Sequence, residues 1–130
     1  MSQGKAILLV DDDRLVRTMA HDLLESYGFA VVEAGSGTVA VEKYRAEPER
    51  FGVVLLDLVM PHPDGVETLK QLRRIDPGVR VILWSAYARS KEAQALIEDG
   101  KVPFLRKPAD LDKLVDTVAS QLGERGGADE

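Results

Sequence analysis

The stretch AILLVDDD at residues 6–13 decides the fold, because an apolar run of five residues ends abruptly in three aspartates. A short run that is apolar throughout and partly β-branched is typical of a strand buried on both faces of a parallel sheet. Further apolar runs follow along the chain, and apolar residues at helical spacing separate each run from the next. We therefore predict strands at residues 6–10, 30–32, 53–56, 79–84 and 102–105.

A helix is predicted after each strand, because capping residues stand at the expected places. Asp and Ser side chains favour the N-cap, and glycine favours the residue after the last turn. The predicted N-caps are Asp13, Ser36, Asp64, Ser90 and Asp110, and the predicted C-terminal glycines are Gly28 and Gly100. Regular alternation of strands and helices favours a doubly wound α/β fold, a parallel sheet with helices on both faces. A closed eight-unit barrel needs about 250 residues and is too long for this chain.

The composition limits the function classes. The chain has 130 residues and a formal net charge of −5, which suits one domain and argues against binding the nucleic-acid phosphate backbone. No apolar stretch approaches the roughly 18 residues of a membrane span, and no signal peptide is recognisable. The absence of cysteine excludes thiolate metal sites and fits a cytoplasmic protein. We expect one domain over residues 1–122 and a flexible, Gly-rich polar tail over residues 123–130.

Several polar residues stand at the carboxyl ends of the predicted strands, where doubly wound sheets bind their ligands. The residues at these ends are Asp11, Asp12, Asp13, Glu33, Gly35, Asp57, Ser85 and Lys107. If the first and third strands are neighbours, Asp11, Asp12 and Asp57 converge. Carboxylates that meet in this way repel one another unless a cation neutralises them, and Mg²⁺ prefers such oxygen ligands.

The same residues could carry out phosphoryl transfer. A carboxylate can act as a nucleophile towards phosphorus, and the transferred phosphoryl group needs its charge neutralised. A metal ion, the ammonium of Lys107 and the hydroxyl of Ser85 would together supply that neutralisation. We therefore predict phosphoryl transfer onto an aspartate.

One competing motif is a glycine-rich run at residues 35–40, which fits the dinucleotide-binding pattern G-x-G-x-x-A. Asp57 even follows it at about the distance expected of the ribose-binding acid. The run nevertheless follows the second predicted strand instead of the first. A nucleotide site would also leave Lys107 and the aspartate cluster without a role. His21 and His62 have no matched ligand spacing, so we predict that they are surface residues.

The chain resembles the receiver domain of two-component response regulators. The resemblance is carried by VDDD at residues 10–13, LDLVMPHPDG at residues 56–65, Ser85-Ala86 and Lys107-Pro108, and it extends over residues 5–122. It implies a flavodoxin-like fold with a five-stranded parallel sheet in the order 2-1-3-4-5. It also implies a phosphorelay switch that is modified by a phosphodonor, and not a turnover enzyme.

The resemblance assigns roles to individual residues. Asp57 would be the phosphoacceptor, and Mg²⁺ would be bound by Asp11, Asp12, Asp57 and the backbone carbonyl of Val59. Ser85 and Lys107 would bind the phosphoryl oxygens, and Phe104 would be the aromatic switch residue. The Lys107–Pro108 bond is expected to be cis. Val59 and Tyr87 occupy the positions that tune hydrolysis, and neither offers a group to orient an attacking water.

The implied partners are a histidine kinase or phosphotransfer protein and an output protein that the sequence does not name. The output surface would be the face of the fourth helix, fifth strand and fifth helix, which is also a candidate homodimer surface. No direct contact with nucleic acid or membrane is expected. The chain could be a stand-alone regulator or the receiver of a hybrid kinase.

Two alternatives remain. A haloacid-dehalogenase-like phosphatase would use Asp11 as nucleophile and Asp13 as acid and base, and would leave Asp57 without a role. A pseudo-receiver would only dock to a partner and would not be phosphorylated.

Overall fold

The computed structural model describes residues 5–86, 88 and 90–123, and its centre is one parallel sheet. Its strands are β1 (Ala6–Val10), β2 (Ala30–Ala34), β3 (Phe51–Leu56), β4 (Val81–Ser85) and β5 (Phe104–Arg106). They lie in the order β2-β1-β3-β4-β5, and every neighbouring pair is parallel. The predicted fold class and strand order are therefore confirmed.

Within the part of the chain that the structure describes, five α-helices cover the two faces of this sheet. They are α1 (Arg14–Ser26), α2 (Gly37–Ala46), α3 (Gly65–Ile75), α4 (Lys91–Asp99) and α5 (Leu114–Gln121). Short 3₁₀ turns lie at Pro48–Arg50 and Leu111–Lys113. Among the described residues, no helix combines the length and the apolar composition needed to span a bilayer.

The side chains of β1 alternate between two separate cores, as strand geometry requires. Leu8 and Val10 pack in the core beneath α2, α3 and α4. Ile7 and Leu9 pack in the core beneath α1 and α5. All four side chains are fully buried. This interior strand is therefore apolar on both faces because each face is covered by helices.

The predicted N-caps hold for the first four helices. Asp13, Ser36, Asp64 and Ser90 each accept hydrogen bonds from backbone N–H groups in the first turn of the helix that follows. The prediction for Asp110 was wrong. Its carboxylate accepts instead from the backbone N–H of Arg106 at 2.9 Å, and a 3₁₀ turn separates it from α5.

Two predicted strands begin later than the sequence suggested. The fourth was expected from Val79, but the N–H of Val79 donates to the Asp76 carbonyl at 3.0 Å and completes a turn. The fifth was expected from Val102 but begins at Phe104. Pro103 precedes it and has no N–H to contribute to a sheet ladder, although its carbonyl accepts from Leu83 at 2.8 Å.

Candidate functional site

The site lies at the carboxyl edge of the sheet, where β1 and β3 run side by side. The register pairs Val10 with Leu56, so the residues that follow, Asp11 and Asp57, emerge next to each other. The ladder continues for one more bond, from the N–H of Asp57 to the carbonyl of Val10 at 3.0 Å. Strand pairing thus brings together two aspartates that are far apart in the sequence.

An acidic cluster forms at this point from Asp11, Asp12 and Asp57. One carboxylate oxygen from each residue lies within 4.8 Å of the corresponding oxygens of the other two. Asp11 and Asp57 are buried and Asp12 is exposed. Hard oxygen donors at this spacing, with one side open to solvent, suit Mg²⁺, which usually keeps several waters and takes one or two protein carboxylates.

Asp11 is held by its neighbours through the backbone and both carboxylate oxygens. Its N–H donates to the carbonyl of Ala34 at 3.1 Å. Its Oδ1 accepts from the N–H of Asp13 at 2.9 Å, and its Oδ2 accepts from Lys107 Nζ at 2.5 Å. The residue is 0% exposed, so these partners replace the water that an isolated carboxylate would need.

Asp57 is less fully compensated than Asp11, the other buried acid of the cluster. Its Oδ1 accepts from the N–H of Val59 at 3.0 Å, and Lys107 Nζ lies 3.4 Å from its Oδ2. Burial raises the pKa of this carboxyl to about 6, and repulsion from Asp11 adds to the rise while the Lys107 ammonium opposes it. A buried carboxylate with a perturbed pKa beside a fixed cation is a candidate for nucleophilic chemistry.

Lys107 connects the two buried acids. Its side chain is 15% exposed, and its ammonium lies 5.5 Å from the centre of the buried Trp84 ring. The ring and the two carboxylates fix the ammonium at the inner wall of the cluster. The Lys107–Pro108 peptide bond is cis, as is the His62–Pro63 bond in the loop after β3.

Ser85 and Phe104 lie on the strands next to Lys107. Ser85 is the last residue of β4 and is buried, and its carbonyl accepts from the N–H of Lys107 at 3.0 Å. Phe104 opens β5 and is partly buried against the core beneath α2, α3 and α4. Val59 is partly buried against the same core, and Tyr87 lies outside the described residues.

The loop that leaves Asp57 returns to it through Gly65, the first residue of α3. A Cβ at Gly65 would collide with the carbonyl oxygen of Asp57 and the Cα of Leu58. The N–H of Gly65 donates to the Leu58 carbonyl at 3.1 Å. Asp64 and Glu67 form a reciprocal capping box at the start of this helix. Asp64 and Gly65 therefore place the first turn of α3 directly against the backbone of Asp57.

The glycine-rich run at residues 35–40 is used for packing. A Cβ at Gly37 would collide with Thr68 Oγ1 of α3 and would lie 3.0 Å from Pro63 Cγ. A Cβ at Gly35 would lie 3.4 Å from Arg17 Nη1 of α1. Gly37 thus allows the close approach of α2 and α3, whereas the contact at Gly35 is an ordinary van der Waals distance, so packing accounts for Gly37 without a nucleotide.

The sequence reasoning missed a charged network behind the acidic cluster. Glu33 was noted at the end of a strand without a role, and in the structure its carboxylate binds Arg17 Nε at 2.7 Å and His21 Nδ1 at 2.5 Å. Burial opposes the charge of His21, but the carboxylates of Glu25 and Glu33 outweigh it and raise the pKa of the imidazole. Burial also opposes the charge of Glu33, but Arg17 and His21 lower the pKa of its carboxyl. Only the pairing of α1 with β2 could reveal this network.

The geometry does not support the phosphatase alternative. Asp13, its proposed acid and base, uses Oδ1 to accept from the N–H groups of Leu15 at 3.0 Å and Val16 at 3.2 Å. Asp11, its proposed nucleophile, is enclosed and paired with Lys107. Asp57 is also buried, but its contact with the Lys107 ammonium is the longer one, at 3.4 Å.

Comparison with known proteins agrees with this geometry. The family described as "Response regulator receiver domain" matches residues 7–119. The chemotaxis protein CheY of Bacillus subtilis is 36% identical over 117 residues, which cover 89% of this chain and 96% of that protein. Sensor kinase CckA of Brucella abortus is 37% identical over 122 residues, which cover 94% of this chain and only 13% of the kinase.

The fold also matches a solved relative. In the CheX–CheY–BeF₃–Mg²⁺ complex of Borrelia burgdorferi, the matching chain has a TM-score of 0.78 and 30% identity, over 89% of this chain and 87% of that one. The family match covers most of the chain, and its acidic pocket and lysine are in place. The chain therefore belongs to the response regulator receiver domain family, as a phosphoacceptor and not a turnover enzyme.

Proposed function

We propose that Asp57 accepts a phosphoryl group from a phosphohistidine of a histidine kinase or phosphotransfer protein. A carboxylate oxygen of Asp57 attacks the phosphorus, an O–P bond forms and the N–P bond breaks, and the freed imidazole takes up a proton from solvent. The observation that carries the proposal is the Asp57 carboxylate, 4% exposed, beside the Lys107 ammonium and the two other acids.

Mg²⁺ is the proposed cofactor of this step. Asp11, Asp12, Asp57 and the carbonyl of Val59 would hold it. When bound, it would neutralise charge on the acidic cluster and on the phosphoryl oxygens. Lys107 contributes a second positive charge from the inner wall of the cluster, where it already contacts Asp11 and Asp57.

The signal is proposed to pass through Ser85 and Phe104. A phosphoryl group on Asp57 adds negative charge and acceptor oxygens beside the buried end of β4. Movement of Ser85 towards those oxygens would leave space for the partly buried Phe104 to turn inward. The face formed by α4, β5 and α5 would then change its population of conformers and bind the output protein or a second copy.

A test of this switch uses Phe104→Ala, which removes the ring but not the acceptor. The variant is expected to be phosphorylated like the wild type, whereas hydrogen exchange in α4 and β5 should no longer change on phosphorylation. An unaltered response of α4 and β5 would rule out a role for Phe104 in the switch.

The phosphodonor is proposed to dock on α1, beside the acidic cluster. Leu15, Met19, Leu23 and Tyr27 recur at a spacing of four residues, so they lie along one side of this helix and its C-cap. Leu15 is 80% exposed, Met19 is 43% exposed and Tyr27 is 64% exposed. A groove of about 630 Å³ next to this stripe runs between α1 and the segment Pro108–Asp116. Exposed apolar side chains in such a row fit a helix of the phosphodonor.

The domain assignment and location are proposals of the same kind. Residues 1–122 are taken as the receiver unit, and the polar residues 123–130 as a tail or linker; most of that tail, residues 124–130, lies outside the described residues. A cytoplasmic location is proposed because the phosphodonors of such a domain act there. Stand-alone regulator and receiver of a hybrid kinase are both compatible with the relatives found.

The central experiment is incubation with acetyl phosphate and Mg²⁺, followed by intact mass spectrometry. The wild type should gain the mass of one phosphoryl group, and Asp57→Asn should gain none. Asp22→Asn, which removes an exposed carboxylate from α1, is the matched control and should react like the wild type. Absence of the adduct in the wild type, or its persistence in Asp57→Asn, would overturn the proposal and favour a docking-only pseudo-receiver.

A further inference from the structure

Arg17 contacts the backbone of the acidic cluster from behind. Its Nη1 donates to the backbone carbonyl of Asp11 at 2.6 Å, and its Nε donates to Glu33 Oε1 at 2.7 Å. The side chain is only 16% exposed, although it carries a full charge. Arginine can bond in two directions at once because its planar guanidinium presents a rigid fork of donors.

The anchor for this fork is Glu33, near the carboxyl end of the edge strand β2. Arg17 and His21 together lower the pKa of its carboxyl against the effect of burial, so Glu33 remains an anion near neutral pH. Gly35 lies against the guanidinium, because a Cβ at this position would be 3.4 Å from Arg17 Nη1, which is van der Waals contact. Strand β2, which contributes no carboxylate to the cluster, therefore supports it indirectly.

The contact with Asp11 matters because the carbonyl that accepts it belongs to the peptide between Asp11 and Asp12. The N–H and carboxylate of Asp11 are already held by Ala34, Asp13 and Lys107. The hydrogen bond from Arg17 fixes the remaining polar atom of the residue and so sets the plane of the next peptide. Asp12 is exposed, and the direction of its side chain depends on that peptide.

We propose that Arg17 is a positioning residue for the Mg²⁺ site, which holds the Asp11–Asp12 peptide so that the Asp12 carboxylate points into the acidic cluster. The proposal rests on the function proposed above. Residues that orient metal ligands typically change metal affinity by about 10- to 100-fold when they are replaced. The role is distinct from that of Lys107, which contacts the carboxylates themselves.

The direction in which Mg²⁺ affinity changes when Arg17 is replaced distinguishes a positioning role from a purely electrostatic one. Removal of a positive charge near three carboxylates should, by electrostatics alone, tighten Mg²⁺ binding. Loss of the bond to the Asp11 carbonyl should instead weaken it, because Asp12 is then free to turn away into solvent. Arg17→Ala is therefore expected to bind Mg²⁺ about 10-fold more weakly than the wild type.

The experiment is isothermal titration calorimetry of Mg²⁺ into the metal-free full chain, with folding of each variant checked by circular dichroism. Arg17→Lys keeps the charge but lacks the fork, so its affinity should lie between those of the wild type and Arg17→Ala. Glu33→Gln weakens the anchor and should also give an intermediate affinity. Arg45→Ala removes an exposed arginine from α2 and should leave the affinity unchanged.

Each outcome decides between the proposals. If the wild type binds Mg²⁺ and Arg17→Ala binds it equally or more tightly, Arg17 has no positioning role, and the phosphoacceptor function is unaffected. If Arg17→Ala does not fold, equal affinity of the wild type, Arg17→Lys and Glu33→Gln overturns the positioning role. If the wild type neither binds Mg²⁺ nor gains a phosphoryl group, the proposed function itself fails.

Discussion

The Lys107 ammonium nitrogen lies 2.5 Å from Asp11 Oδ2, although 96 positions separate the two residues along the chain. This ion pair joins the loop after β5 to the loop after β1. The same ammonium lies 3.4 Å from Asp57 Oδ2, so the longer contact goes to the acid that we propose reacts. The lysine therefore satisfies Asp11 more fully than Asp57.

The first prediction concerns Asp57→Asn in Mg²⁺-free buffer. The pKa of Asp57 is raised from 3.8 to about 6, so the folded protein binds this proton more tightly than the unfolded chain. The stability that proton uptake provides is lost as the pH rises from about 4 to about 6. Asparagine avoids the buried charge, so the variant should gain about 1–3 kcal/mol in free energy of unfolding above pH 6.

Urea denaturation of wild type and Asp57→Asn across this pH range measures the effect. The advantage of the variant should shrink as the pH falls and disappear below about pH 3, where the wild-type carboxyl is protonated in both the folded and the unfolded state. Added Mg²⁺ should reduce the difference in free energy of unfolding between the variant and the wild type at neutral pH. The ion binds the folded wild type and so stabilises it. A gap that is constant with pH would show that the charge of Asp57 is not its cause.

The second prediction concerns Lys107→Met, which keeps an apolar stem beside Trp84 and removes the ammonium. Breaking a buried pair leaves Asp11 without its partner, so the metal-free variant should lose about 2–4 kcal/mol in free energy of unfolding at neutral pH. Mg²⁺ should nevertheless bind it more tightly, because a competing cation has left the cluster. Arg17→Ala should change Mg²⁺ affinity in the opposite direction.

The matched control for Lys107→Met is Lys91→Met, in the exposed first turn of α4. It removes the same charge from an exposed side chain outside the acidic cluster and should alter neither stability nor Mg²⁺ affinity appreciably. Titration calorimetry and urea denaturation give both readouts. Weaker Mg²⁺ binding by Lys107→Met would show that the lysine organises the cluster more than it competes with the metal.

Most of the fold could be predicted from the sequence, because each apolar run has the length of a strand and each of the first four helices carries a side-chain cap. Asp13, Ser36, Asp64 and Ser90 could be recognised because a helix N-cap depends on residues adjacent in sequence. The different role of Asp110 could not be predicted, because its carboxylate accepts a hydrogen bond from the backbone N–H of Arg106, which precedes it, and not from the helix that follows.

The site was only partly predictable for a similar reason. The carboxylates and Lys107 stand at strand ends, where topology alone brings them together. The contact of Arg17 with the Asp11 carbonyl depends on how α1 packs on β2, and no spacing within the sequence indicates it. The packing of Gly37 against α3 could not be predicted either, since the glycine-rich run at residues 35–40 also fits the dinucleotide-binding pattern.

The third prediction concerns Gly65→Ala. The added methyl group would collide with the Asp57 carbonyl oxygen and the Leu58 Cα, which are backbone atoms and cannot turn aside. We expect a loss of about 1–3 kcal/mol in free energy of unfolding and slower phosphorylation by acetyl phosphate, because the backbone of the acceptor must shift. Urea denaturation and the rate of mass gain measure the two effects.

Gly78→Ala is the matched control for that substitution. Its Cβ would meet nothing closer than Asp76 Oδ1 at 3.5 Å, which is ordinary van der Waals contact. The change should stay within about 0.5 kcal/mol and leave phosphorylation unaltered. If both glycine variants behave alike, the close approach of α3 to Asp57 has no special importance for the acceptor.

The last prediction concerns the lifetime of the phosphorylated protein. The N–H of Val59 donates a hydrogen bond to Asp57 Oδ1 at 3.0 Å, but the side chain of Val59 is apolar and partly buried against the core. It offers no group that could orient a water molecule for attack on the aspartyl phosphate, so we expect slow hydrolysis. Val59→Asn should shorten the lifetime several-fold, whereas Val59→Ile, which stays apolar, should not. Decay of the phosphorylated mass in Mg²⁺ buffer gives the rates. A longer lifetime in Val59→Asn would show that something other than the lack of a polar group at this position controls hydrolysis.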